Sequence, residues 1–411
     1  MKSKKQYSES LVDVRNRLAK PSMLKDLSDN DMVVSNGPLN TVVTDLITDS
    51  RRVTPGSAFF AIPGQRTDGN NYLEEAISRG AKTIISNHKN EDLPLGVTSI
   101  QTKDPRLALA RFAKKHNGSP DKSLNIIGVT GTNGKTTVTA LARHFLERPG
   151  RPVGLIGTVK YHLGDRDVPS FKTTPEASDI YPLLKSMLAA GCSEAVMEVS
   201  SHGIHQNRVA GLDMEVAVFL NLTRDHLDYH GNMENYFREK RKIFNGENGR
   251  LPKVAVINAD CPYGRRLMDE LPPYVHILSF GEHERSTFRA RNISLSSVGS
   301  EFILDGPFGS TVVSSPLLGR YNVMNILAAF SIVHALGMPV TNAIHKISSF
   351  SGVDGRMEMV DRGQGYKVVV DYAHTPDALR NALSMLRECT NGKLHLVFGC
   401  GGDRDKGKRL E

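Results

Sequence analysis

The chain has 411 residues, with 52 Lys and Arg against 44 Asp and Glu (net charge +8), 39% hydrophobic and 23% charged residues. That balance belongs to an ordinary globular protein and excludes a disordered tail, and no apolar run approaches the ~20 residues needed to span a bilayer. At roughly 150 residues per domain, the length points to two or three domains, each able to bury a core.

Much of the excess positive charge sits at the start. Residues 1–25 hold Lys2, Lys4, Lys5, Arg15, Arg17, Lys20 and Lys25 against only Glu9 and Asp13. Such an arm reads either as a solvated terminus or as a phosphate-binding patch. The interleaved aromatic and basic residues of single-strand binders are missing, so nucleic acid is not an expected partner. The basic start leads into no apolar segment, so no secretory signal is expected. Cys192, Cys261, Cys389 and Cys400 are scattered without a CxxC pair, which points to neither zinc nor disulfides but to reduced thiols in the cytoplasm.

In chain order, 26–120 carries short strand-like runs with turn punctuation, a helical pattern at 72–77, and a strand following Gly80. The polar stretch 116–122 reads as a linker. From 121 to 351, strands are predicted at 124–130, 194–199, 215–220 and 253–258, with helices at 179–190 and 233–244 between them. This alternation predicts a largely parallel sheet with helices on both faces. From 352 to 411, strands at 367–371 and 393–398 flank a helix at 376–388. One βαβ unit cannot cover both faces of a parallel sheet, so this third part is read as incomplete.

Gly128-Val-Thr-Gly-Thr-Asn-Gly-Lys-Thr-Thr137 lies at a strand-to-helix junction. Its glycines let backbone N–H groups approach phosphate oxygens, and the following helix N-terminus adds its dipole. Gly131, Thr132, Asn133 and Gly134 form the cradle, Lys135 reaches the β/γ-phosphates, and the Thr136 hydroxyl is an Mg²⁺ ligand. ATP is therefore the expected nucleotide.

This loop resembles that of the Mur ligase superfamily of ATP-dependent amide-bond ligases, which includes the folylpolyglutamate synthetases. Three further segments carry the resemblance: Glu198-Val-Ser-Ser-His-Gly203 with Gln206 and Arg208, Asn221-Leu-Thr-Arg-Asp-His-Leu-Asp-Tyr-His-Gly231, and Asp371-Tyr-Ala-His-Thr-Pro-Asp377. So does the run from Phe398 to Arg409. Together they resemble the branch that adds the third residue of the peptidoglycan stem peptide. The resemblance implies an α/β fold in three parts: an N-terminal UDP-sugar domain (26–120), a central P-loop ATPase domain (121–351) and a partial Rossmann-like C-terminal domain (352–411). It implies a cytoplasmic monomer that joins meso-diaminopimelate to UDP-N-acetylmuramoyl-L-Ala-D-Glu through an acyl phosphate.

Each site residue also has a plainer reading. Glu198 is a solvated loop carboxylate or, by the resemblance, an Mg²⁺ ligand. His226 is a metal or phosphate contact, or a structural hydrogen bonder; the spacing of His202, His205, His226 and His230 matches no zinc pattern. Lys240 reads alone as part of a solvated basic helix face, whereas the resemblance makes it a carbamylated lysine that helps hold Mg²⁺. The resemblance places the UDP-sugar peptide at Thr48, Ser50, Gln65, Arg66, Thr67, Thr173, Thr174, Ser200, Gln206 and Arg208, with Lys172 where the family commonly has Asn. It puts Asn322 and Asn325 near the adenine, Arg356 and Asp371 at the nucleotide from the C-terminal part, and Arg404 on the incoming amino acid's carboxylate.

The family's Asp-Asn-Pro-Arg and Gly-Lys-Gly-His-Glu-like segments are absent from the 411 residues, so the chain is expected to be C-terminally truncated. A ligase-inactive nucleotide- and UDP-sugar-binding remnant and an L-lysine-adding variant are the alternatives. Folylpolyglutamate synthetase is disfavoured by Thr48-Asp-Ser-Arg51.

Overall fold

The computed structural model describes residues 9–399 except 19, 30, 31, 65, 66, 91, 374 and 375. Two compact units form. One comprises the described residues through Ile126 together with Arg148–Glu215 and Glu239–Pro252; the other comprises Ile127–Glu147, Val216–Arg238 and the described residues from Lys253 onward.

In the first unit a five-stranded sheet runs in the order Val33–Asn36, Thr98–Gln101, Thr83–Ser86, Ala58–Phe60, Leu46–Ile47. Its pairs are parallel apart from the antiparallel edge Val33–Asn36. Phe59, Ile84, Ile47 and Val97 pack on one face with Ala76 and partly buried Leu73 and Ile77. Phe60 meets Phe112 of helix Pro105–His116 edge-on at 5.4 Å. That helix starts where Asp104 accepts the N–H groups of Arg106 and Leu107 and Pro105 takes the first helical position.

The first unit also contains the strands Asp167–Pro169, Lys160–His162, Val153–Ile156 and Glu194–Glu198, neighbours in that order, and the helix Ala177–Ala189. The stretch 116–122 is not an open linker. Asp121 is buried, 2.7 Å from the Lys114 ammonium, and accepts the Asp213 N–H at 3.1 Å. Polar composition alone did not distinguish an anchored turn from a spacer.

In the second unit Asn125–Thr130, Val216–Phe219, Val254–Asn258, His276–Gly281 and Phe288–Ser296 pair in parallel, each with the next. The first four are nearly continuous apolar runs because parallel strands are covered on both faces. Gly299–Gly306 and Gly309–Ser315 then extend the run as antiparallel strands. Their alternating burial is the signature of a half-solvated antiparallel sheet. The helix Lys135–Leu146 packs on Arg320–Ala335, with Phe145 stacked on Phe330 at 5.2 Å.

Beyond residue 352 one expectation is overturned. The helix Pro376–Glu388 forms, but 393–398 is not a strand, and Leu396, Val397 and Phe398 are exposed. Val368–Val370 pairs antiparallel with Glu358–Val360 instead of in parallel with 393–398. An apolar run becomes a strand only where a neighbour completes its ladder, and periodicity does not reveal whether that neighbour is there. The helix is held by Met385 packing with Leu318 and Met357. A Cβ on Gly319 would stand 2.3 Å from Met385 Cγ. Among the described residues no helix is long and apolar enough to cross a membrane.

Candidate functional site

The glycine-rich loop closes as its sequence demands. Thr130 ends a buried strand and Lys135 opens a helix. Gly134 between them has φ +92°, and a Cβ there would lie 2.5 Å from Asn325 Oδ1, so both conformation and space select glycine. Lys135 Nζ donates to the carbonyls of Gly131 (2.8 Å) and Thr132 (2.9 Å). Asn221, at the end of the neighbouring strand, accepts the N–H groups of Thr132 (3.1 Å) and Asn133 (2.9 Å) on Oδ1 and donates Nδ2 to the Asn133 carbonyl (3.1 Å). Thr132 Oγ1 lies 3.3 Å from the hydroxyl of buried Tyr236, whose pKa burial pushes up.

Around this loop, His226 adopts a left-handed backbone (φ +53°) at the start of Leu227–His230 and is about half exposed. His230 is instead buried and stacked on Tyr236 at 5.1 Å. Asn322 and Asn325 are buried, with Asn325 Nδ2 donating to Asn322 Oδ1 (2.9 Å) and Asn322 Nδ2 to the Leu318 carbonyl (2.8 Å). Asn325 thus faces the P-loop glycine. Arg356 stacks over the Tyr372 ring at 4.8 Å, and Asp371 accepts the N–H groups of Met357 and Ala373, both at 2.8 Å.

The first unit gathers the second set. Glu198 ends its strand only 1% exposed, which discards the solvated-loop reading. Its carboxylate accepts the Thr158 N–H (2.8 Å) and Thr158 Oγ1–H (3.0 Å), and Thr158 Oγ1 lies 2.9 Å from Thr173 Oγ1. Thr174 is buried; its hydroxyl donates to the Glu198 carbonyl and accepts the Ser200 N–H, both at 2.9 Å. The Thr174 side chain thus shapes this segment from inside. Ser200 Oγ accepts the Gly203 N–H at 3.1 Å.

Arg208 donates to the Thr174 carbonyl (2.8 Å) and Gln206 Oε1 (2.6 Å), and its Nε stands 3.1 Å from Glu176. Lys172, the departure from the family pattern, bridges to Glu176 at 2.8 Å, with Arg106 at 3.8 Å. Burial opposes ionisation of Glu176, but Arg208 and Lys172 outweigh it and hold the carboxyl below its usual range. Three cations thus surround one carboxylate, a net positive patch.

Lys240 is 1% exposed, so it is not part of a solvated face. Ser50, also buried, donates to Glu75 Oε2 at 2.6 Å, and Thr67 Oγ1 lies 3.3 Å from the Tyr72 hydroxyl. Thr48 is half-buried. Gln65, Arg66 and Arg404 lie outside the described residues. Among the described residues no three His, Cys, Asp or Glu side chains cluster as a metal site.

Sequence reasoning missed Asn221, Thr158, Glu176 and Tyr161. Asn221 stood inside a quoted motif with no role given. Tyr161, fully buried, takes the N–H groups of Phe171 (3.3 Å) and Lys172 (3.2 Å) and donates to the Lys172 carbonyl (2.8 Å). Nothing in its spacing marked it.

The chain is similar to known proteins along most of its length. Residues 43–117 match the Mur ligase family catalytic domain, 129–333 the Mur ligase middle domain, and 355–411 the Mur ligase glutamate ligase domain. A protein of Listeria innocua serovar 6a named UDP-N-acetylmuramoyl-L-alanyl-D-glutamate–2,6-diaminopimelate ligase is 42% identical over 371 residues, covering 89% of this chain and 74% of that protein. A solved structure of a ligase of that name superposes with TM-score 0.77 at 31% identity, over 95% of this chain and 79% of the other. The MurF ligase of Thermotoga maritima in complex with ADP shares the fold, with TM-score 0.58 at 22% identity over 84% and 74% of the two chains. The strand and loop that lead into the helix at Lys135 and these matches lead to one conclusion: the chain belongs to the Mur ligase family.

Proposed function

We propose that the protein joins meso-diaminopimelate to UDP-N-acetylmuramoyl-L-Ala-D-Glu at the expense of ATP, in the cytoplasm. In this reading residues 26–120 serve the UDP-sugar, 121–351 the nucleotide and 352–411 the incoming amino acid. The observation that carries it is the Gly131–Thr136 loop, built as a phosphate cradle in a chain 42% identical to a ligase of that name.

The D-Glu γ-carboxylate oxygen attacks the γ-phosphorus and ADP leaves. The diaminopimelate amine then attacks the acyl carbon, loses its proton, and phosphate departs. Lys135 would exchange its two carbonyl acceptors for phosphate oxygens and supply counter-charge as the transferring group moves. The cations around Glu176 favour an anionic substrate beside Thr173, and a guanidinium such as Arg208 suits its carboxylates.

Mg²⁺ would be held by Thr136, Glu198, His226 and a carbamylated Lys240. It supplies positive charge to the phosphate oxygens when bound. The Glu198 carboxylate and Thr136 hydroxyl are the hard oxygen ligands this ion prefers, a carbamate would add another, and the His226 imidazole would be the softer member. Carbamylation would replace the buried Lys240 ammonium with an anionic group able to ligate.

The test is phosphate release from ATP and the UDP-dipeptide, with and without diaminopimelate. Release that depends on diaminopimelate, and is weaker with L-lysine, is expected; release indifferent to any amino acid would reject the reading. Lys240 gives a separate prediction. The intact protein should be heavier by one carbamate, and activity should fall in CO₂-free buffer and return with bicarbonate. A Lys240→Ala protein should lose activity about 10²-fold, as expected when an electrostatic contributor is removed, and ignore bicarbonate. A wild-type mass without the adduct, with turnover indifferent to bicarbonate, would remove Lys240 from the site.

A further inference from the structure

The hydroxyls of Thr158 and Thr173 form a chain that ends on a buried carboxylate, and the chemistry of its members fixes its direction. An ionised carboxylate only accepts hydrogen bonds, whereas a threonine hydroxyl has one proton to give. Glu198, 1% exposed, takes the Thr158 N–H on Oε1 (2.8 Å) and the Thr158 hydroxyl on Oε2 (3.0 Å). Turning the Thr158 proton toward Thr173 instead would trade a charge-assisted bond for a neutral one about half as strong. The Thr158 proton therefore stays on Glu198. The 2.9 Å contact between the two hydroxyls must then be donated by Thr173.

The backbone is built for this approach. Gly157 precedes Thr158, and a Cβ on it would stand 2.6 Å from Glu198 Oε1. On the far side, the loop carrying Thr173 is fixed by Ser170 Oγ donating to the Gly157 carbonyl (2.7 Å) and by Tyr161 holding Lys172 through its N–H (3.2 Å) and carbonyl (2.8 Å). Thr174, next along, uses its hydroxyl internally in both directions. Thr173, half-buried, is the hydroxyl of this pair placed to meet a ligand.

We propose that Thr158 is a positioning residue that commits the Thr173 proton inward, so that Thr173 presents its oxygen lone pair to the substrate and accepts the N–H of the L-Ala–D-Glu peptide bond. This rests on the substrate proposed above and deepens it. Recognition of the anionic groups then falls to the cations around Glu176. Glu198 thus sets the polarity of Thr173 through Thr158.

Calorimetric binding of UDP-N-acetylmuramoyl-L-Ala-D-Glu, without ATP, tests this. Thr158→Val, close in shape but without the hydroxyl, should weaken binding about tenfold, the scale of one hydrogen bond, and Thr158→Ser less than threefold. Thr173→Val should also cost about tenfold, and the Thr158→Val/Thr173→Val protein little more than either alone. An independent arm uses the ligand methylated on the L-Ala–D-Glu nitrogen. Wild type should discriminate against it, and Thr173→Val should lose most of that discrimination, whether or not the Thr158 variant folds.

If Thr173→Val weakens both ligands by the same factor, Thr173 is not the acceptor of that N–H and the proposal falls. Additive losses in the double variant, or a Thr158→Ser protein as weak as Thr158→Val, would also overturn it. A wild-type protein that ignores both ligands would instead reject the substrate reading itself, and the role of Thr173 with it.

Discussion

A Lys135→Ala protein is expected to lose diaminopimelate-dependent phosphate release by about 10²–10³-fold, the range for removing one preorganised electrostatic contact from a transition state. Its affinity for the UDP-dipeptide should stay within about threefold of wild type, because the residues proposed for that ligand make their described contacts without Lys135. The ammonium now bridges the Gly131 and Thr132 carbonyls, so alanine removes two loop bonds as well as a charge. Lys135→Arg separates these effects: it keeps the charge but cannot reproduce the compact ammonium geometry in a loop shaped by Gly134. Both variants should therefore lose turnover, whereas only alanine should loosen the loop and lower the melting temperature. The assay is steady-state phosphate release beside calorimetric binding of the UDP-dipeptide. Turnover unchanged in the alanine protein would remove the loop from the nucleotide site.

What was legible in the sequence followed physical necessity. A strand covered on both faces must be apolar throughout, and a phosphate cradle needs glycines where backbone approaches backbone; both leave marks that one chain can show. Asn125–Thr130 and Lys135–Leu146 therefore stood where the pattern put them. The parts that were missed depend on partners distant in sequence. Thr158 earns its place only because Glu198 arrives from 40 residues away, and Lys240 looked solvated because neighbouring charges in its helix hid its burial. The run 393–398 failed for the same reason in reverse: its residues suit a strand, but no adjacent strand completes it among the described residues.

The N-terminal charge shows the same limit, and it yields the largest expected effect on stability. Counted from sequence, Arg15 was one of seven cations in a basic arm. In the fold it is 6% exposed on helix Leu11–Leu18, on the face that also buries Leu11 and Val14. Its guanidinium meets Asp45 at 2.5 Å, Asp179 at 3.1 Å and the Leu46 carbonyl at 2.7 Å. The helix that carries Asp179 begins directly after the segment Thr173–Glu176, so this ion triad anchors the helix that follows that segment. Arg15→Met keeps the stem packing but leaves two carboxylates and a carbonyl without their counterpart. Breaking a buried pair from one side costs about 3–5 kcal/mol, and at about 2–4 °C per kcal/mol the melting temperature should fall by roughly 6–20 °C.

The loss should depend on pH in a definite sense. Burial already holds the Asp179 carboxyl above its usual range despite Arg15, and removing the guanidinium raises it further. A carboxyl whose folded pKa lies above its unfolded value leaves the native state holding more protons, so stability falls as pH rises between the two values. The penalty in Arg15→Met should therefore be smallest near pH 4 and grow toward neutrality, since the carboxyl range begins at about that pH. Arg15→Met/Asp179→Asn, which removes the stranded charge, should recover part of it and flatten the profile. Thermal unfolding of the three proteins across pH is the measurement. A loss below about 1 kcal/mol, or one that does not change with pH, would return Arg15 to the solvated arm that its sequence context described.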